Sequence, residues 1–92
     1  MSNITETGRS APIRVASGLF FLNLAGDFGG TSIRVDWAKN CEGPWNPLLD
    51  EDGAPTAITD TFNKQVTLGL GAVSFFATGG AAIDVAPTLK RL

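Results

Sequence analysis

Thr31-Ser32-Ile33-Arg34-Val35-Asp36-Trp37 alternates polar and apolar residues with a period of two, and this stretch decides the fold class. Successive side chains of a pleated strand point to opposite faces, so Ile33, Val35 and Trp37 are expected to face a core while Ser32, Arg34 and Asp36 face water. Upstream, Gly26-Asp27-Phe28-Gly29-Gly30 supplies turn chemistry. Before it, Ser17-Gly18-Leu19-Phe20-Phe21-Leu22-Asn23-Leu24-Ala25 is too short for a typical helix and rich in Phe and Leu. It reads as a strand with Phe20, Leu22 and Leu24 on one face and Leu19 and Phe21 on the other. The two runs and their turn together predict a β-hairpin with one solvated face.

Further along, Trp45-Asn46-Pro47-Leu48-Leu49 reads as a short strand, and Pro47, which has no amide donor, favours an edge position. Thr56 to Thr59 is a further short candidate. Phe62 to Leu70 and Ala72 to Thr78 alternate again, with Gly71 between them. Gly79-Gly80 turns the chain, and Ile83-Asp84-Val85 opens a last strand whose pairing Pro87 is expected to kink or end. Six to eight short strands and no convincing helix predict an all-β chain, an antiparallel β-sandwich or jelly-roll-like small domain. Residues 1–12 hold little apolar content and read as an extended N-terminal arm, with a single β domain over 13–92.

Ninety-two residues leave room for one domain. A net charge of −2 offers no footprint for a phosphate backbone, so direct binding of nucleic acid is not expected. Zero His and one Cys remove His base catalysis and any Cys/His zinc site; no enzyme activity, cofactor or metal is expected. Asp50-Glu51-Asp52-Gly53 superficially resembles a calcium loop but lacks the spaced later ligands and reads as a solvated turn. Cys41 has no histidine to activate it and cannot close an internal disulfide. The longest mostly apolar run, Gly18 to Ala25, falls far short of the roughly 20 residues a membrane helix needs. The polar, acidic start lacks the pattern of a secretory signal, so synthesis in a cytosol is expected.

Leu19, Phe21 and Phe76 fall on faces opposite their core-bound neighbours, which leaves two readings open: two-layer packing covers them, or they form a subunit interface. In an interface, each would bury roughly 100 to 150 Å² and contribute about 2.5 to 4 kcal/mol at about 25 cal/mol/Å². The polar arm carries isolated apolar anchors, Ile4, Pro12 and Ile13, and so fits a segment that docks on a neighbour. Trp45 is the candidate for ligand contact by stacking on a sugar, whereas Trp37 belongs to the core.

The stretch Gly26 to Trp37, then Gly43-Pro44-Trp45-Asn46-Pro47-Leu48, then Ala72-Val73-Ser74-Phe75-Phe76-Ala77-Thr78-Gly79, resembles small virion proteins of tailed bacteriophages. Those chains tend to read as a strand, a Gly-rich turn, a Thr-led strand, a Trp followed by Pro-Leu, and a Gly-rich closing hairpin. Here Asp36-Trp37-Ala38 stands where they often carry Gln and Ser, and Glu42-Gly43-Pro44 replaces the usual Asp-Gly before the Trp. The resemblance implies an all-β subunit, often a homotrimer, on the outer capsid surface of a virion. Its partner would be the major capsid protein and its role that of a decoration or cement protein. The alternatives are a tail, head-tail junction or fibre-attachment component and, from a different class, a carbohydrate-binding module using Trp45 and the Asp50 to Asp52 loop.

Overall fold

The computed structural model describes residues 3–49, 52–80 and 83–92 of the chain. Among them are the strands β1 (Gly8–Arg9), β2 (Ile13–Val15), β3 (Gly18–Asp27), β4 (Ser32–Ala38), β5 (Asn46–Pro47), β6 (Phe62–Leu68), β7 (Gly71–Thr78) and β8 (Asp84–Arg91), and no helix. One sheet runs β6-β3-β8; the other runs β1-β7-β4-β5, with β2 also on β7. All pairings are antiparallel. Phe20, Leu22 and Leu24 of β3, Ile33 and Val35 of β4, Val73 and Phe75 of β7, and Val85 of β8 fill the layer between the sheets. The molecule is an all-β sandwich, as the period-two alternation predicts.

The predicted hairpin is not formed. β3 pairs with β6 and β8, whereas β4 pairs with β7 and β5, so the Gly26–Gly30 turn carries the chain from one sheet to the other. Period-two alternation identifies which face of a strand is buried but not which strand lies beside it. The glycines make the crossing possible: Gly26, Gly29 and Gly30 have φ of 138°, 55° and 77°. At Gly26 a Cβ would also collide with the carbonyl oxygen of Asp84. The chain stays within one sheet only at the β1–β2 and β4–β5 connections. Pro47 does lie at a sheet edge, on β5. Thr56 to Thr59 contributes a single bridge, Ile33↔Ile58, rather than a strand.

Pro87 does not end β8. The Leu92 N–H donates to the Leu19 carbonyl at 3.0 Å, so alternate residues of β3 from Leu19 onward aim their backbone groups at β8. Their partners are Lys90, Thr88 and Ala86; Pro87 lies between two of these, its ring nitrogen turned to the outer edge where no ladder bond is lost.

The largest correction concerns the N-terminal segment. Ile4 is 7% exposed and belongs to the core of its own chain, exchanging two backbone hydrogen bonds with Val85 at 2.7 and 3.0 Å. It is therefore not an anchor for a neighbour. Gly8 and Arg9 then pair with Ala77 and Phe76, and Ile13 to Val15 pair with Val73 to Gly71. From Arg9 to Ile13 is four steps, but the partners Phe76 to Val73 span three, so one extra residue is accommodated as a bulge at Ser10–Pro12. Ser10 repairs the interrupted ladder. Its N–H donates to the Phe75 carbonyl at 2.8 Å, its Oγ accepts the Phe75 N–H at 2.9 Å, and the buried Ser74 Oγ donates to the Ser10 carbonyl at 2.9 Å. The segment is a strap that stitches the β8 edge of one sheet to the β7 edge of the other. Docking on its own body forfeits none of the translational and rotational freedom that docking on a neighbour would cost.

Replacing Ile4 by Ala is expected to lower the unfolding free energy by about 2 kcal/mol, the low end for a buried Ile near the surface. Urea denaturation checks it, and a midpoint equal to that of the parent chain would show that the strap adds nothing to the fold.

Candidate functional site

The residues singled out as interface candidates are not brought together. Ile4 lies in the core, Pro12 is exposed at the bulge, and Ile13 is half-buried on β2 against the core. Leu19 and Phe21 lie on the outer face of the three-stranded sheet, Phe76 and Trp45 on the outer side of the five-stranded one. The molecule thus presents two unlike faces.

On the five-stranded sheet, register places Arg9, Phe76 and Arg34 in one cross-strand row, next to the row that holds Asp36 and Ser74. Asp36, expected to face water, is fully buried. Arg9 Nη2 donates to its Oδ2 at 2.8 Å, Arg34 Nε to Oδ1 at 2.8 Å and Arg34 Nη2 to Oδ2 at 3.0 Å. The Arg9 guanidinium lies 4.9 Å from the Trp45 ring centre and 5.2 Å from that of Phe76; Arg34 covers the same Phe76 at 4.9 Å. Two cations stacked on aromatic rings therefore enclose one carboxylate. Hydrogen bonding to Asp36 raises the Arg34 pKa above its ordinary value. The cluster ties β1 to β4 and β7 and builds a polar lid over the sheet. It also places a guanidinium against one face of Trp45.

The three-stranded sheet is different. Leu19 is 43% exposed, and Leu92, which bonds to its backbone, is 58% exposed. Phe21 is half-buried on the same face, and Leu70, in the β6–β7 turn at that end, is 73% exposed. Sequence reasoning missed Leu70 and Leu92. Leu70 carried a usable signal: a large apolar residue flanked by Gly69 and Gly71 has no strand to face it inward.

Between the strap and the body is a cleft of about 390 Å³, lined by residues 3–13 with Phe75 and Pro87. Trp37 sits at the rim of the core, its indole N–H donating to the Gly69 carbonyl at 3.0 Å. Cys41 is a half-buried free thiol. Among the described residues no three His, Cys, Asp or Glu side chains gather into a metal-binding group, and no helix is long and apolar enough to cross a membrane. Asp50 and Glu51 of the acidic loop lie outside the described residues. No family model, curated protein or solved structure matches the chain.

Asp36→Asn keeps the shape of the side chain but removes the charge that both guanidiniums grip. The expected loss is about 1.5 to 3 kcal/mol of stability, the range for hydrogen bonds to a charged group. A change below about 0.5 kcal/mol by denaturant titration would mean that the cluster is worth no more than an exposed ion pair.

Proposed function

We propose that this chain is a non-enzymatic structural subunit of a bacteriophage virion, a decoration or cement protein that sits on the outer capsid surface and bridges neighbouring major capsid subunits. The reading is carried by the Leu19 end of the three-stranded sheet, where exposed Leu19 and Leu92 are cross-strand neighbours and Phe21 lies on the same outer face. Singly exposed apolar residues are ordinary on protein surfaces; several on one face are a recognition feature. Burying such side chains against a shell stabilises the contact by about 25 cal/mol for each Å² removed from water.

A shell holding packed DNA is under outward stress, and added contact across subunit boundaries raises the work needed to part them. That task requires no titrating side chain. It needs a firm body with an apolar face and a symmetric support on which modest contacts act together. The clamped outer side of the five-stranded sheet and the docked strap supply the firmness. With Ile4 in the core, the bridging contact falls to the leucine-bearing face rather than to residues 1–12.

Electron microscopy of the purified particle tests the assignment: density for the chain is expected where major capsid subunits meet. Density confined to the tail, the head-tail junction or a fibre base would overturn it, as would absence from the particle. The double substitution Leu19→Asp with Leu92→Asp is expected to weaken capsid binding at least tenfold while leaving the unfolding midpoint unchanged.

A further inference from the structure

We infer that the outer edge of β6 is a self-association edge, on which a second copy of this chain pairs β6 with β6 in antiparallel register. The inference does not rest on the virion reading. A sheet edge offers unpaired N–H and C=O groups, and most long edges in this sandwich are covered. The edge of β7 carries β1 and β2, β4 carries β5 and the Ile58 bridge, and β8 carries Ile4 and is interrupted by Pro87. β6 is seven residues long and, among the described residues, nothing pairs with its outer side.

Which groups are free follows from the ladder. Leu19 and the alternate residues after it aim their backbone groups at β8, so Gly18, Phe20, Leu22 and Leu24 aim theirs at β6. Their partners Leu68, Val66, Lys64 and Phe62 are thereby satisfied. The N–H and C=O groups of Asn63, Gln65 and Thr67 point away from the sheet, and all three residues are exposed.

The sequence of β6 is complementary to itself about Gln65. Antiparallel pairing centred there sets Gln65 opposite Gln65 of the second copy, Asn63 opposite Thr67 and Thr67 opposite Asn63. Each of these is a pair that exchanges two backbone bonds, so all six free groups on each copy are used. The polar row Asn63, Gln65, Thr67 continues across the junction as amide and hydroxyl side chains. Lys64, the one charged residue of β6, lands opposite Val66. Shifting the centre to Lys64 would set like charges directly opposite, which is destabilising, and shifting it to Val66 would leave Asn63 without its Thr67 partner. The product is a closed twofold dimer with one continuous sheet, β8-β3-β6 running into β6-β3-β8 of the second copy.

Light scattering on the eluting native chain is expected to give twice the 9.6 kDa monomer mass. Gln65→Lys places two ammonium groups opposite each other across the twofold axis while leaving the β3 ladder intact. It is expected to weaken dimerisation at least tenfold with an unchanged unfolding midpoint for the separated chains. In a Cys41→Ser background, Gln65→Cys is expected to form a disulfide-linked dimer on mild oxidation, because a hydrogen-bonded antiparallel pair holds its Cα atoms about 5.5 Å apart, within disulfide reach. A native mass of one or three chains would overturn the inference. So would a dimer that survives Gln65→Lys, or one that Gln65→Cys fails to cross-link.

Discussion

Every feature of this sandwich answers to one constraint: neither sheet can cover its own apolar face. Phe20, Leu22 and Leu24 project from the middle strand of a three-stranded sheet, and Ile33, Val35, Val73 and Phe75 of the other sheet share their buried layer. A chain that must populate both layers while keeping its connections short changes layer repeatedly. Glycines at the Gly26–Gly30 crossing permit the change of direction, and the strap closes the side where β7 and β8 would otherwise expose the core. The stability of the whole thus resides in the shared layer, with the strap and the Asp36 cluster holding its margins.

The alternation of Ser32 to Ala38 and the two faces of Gly18–Asp27 were legible from residue types alone, because a strand buried on one side must repeat every two residues. The placement of Pro47 on an edge was legible for an equally local reason, its missing donor. What could not be read was pairing. The hairpin predicted around Gly26–Gly30 failed because an alternating strand is equally content beside any neighbour that shares its buried face. Asp36 misled in a similar way: a carboxylate on an outward position reads as solvated unless Arg9, distant in sequence and stacked on Phe76 of another strand, is known to bind it. The strap was hidden by its composition. Ile4, set among polar neighbours, gives no periodic signal, yet its side chain is buried in the core.

The two outer faces divide the labour of the surface. Over the five-stranded sheet, guanidinium, carboxylate and aromatic groups satisfy one another, which leaves that side with few demands on a partner. Over the three-stranded sheet, Leu19, Phe21 and Leu92 share the outer face with amide and hydroxyl side chains and with Lys90, which lies opposite Phe21. The candidate interface residues chosen from sequence were drawn from both sides because facing direction relative to a strand is visible in a sequence, whereas the sheet to which the strand belongs is not.

The strap also sets an order of events on the ribosome. Asn3 binds Asp84, 81 positions away, and Ile4 pairs beside it with Val85. These strap residues are consequently made well before the strand that receives them, and cannot find their places until it has emerged. Until then a nascent chain keeps the flank of its barely assembled core uncovered, and contacts so distant along the chain close slowly. The seam between strap and β8 therefore closes only after all the residues between its two sides have been made.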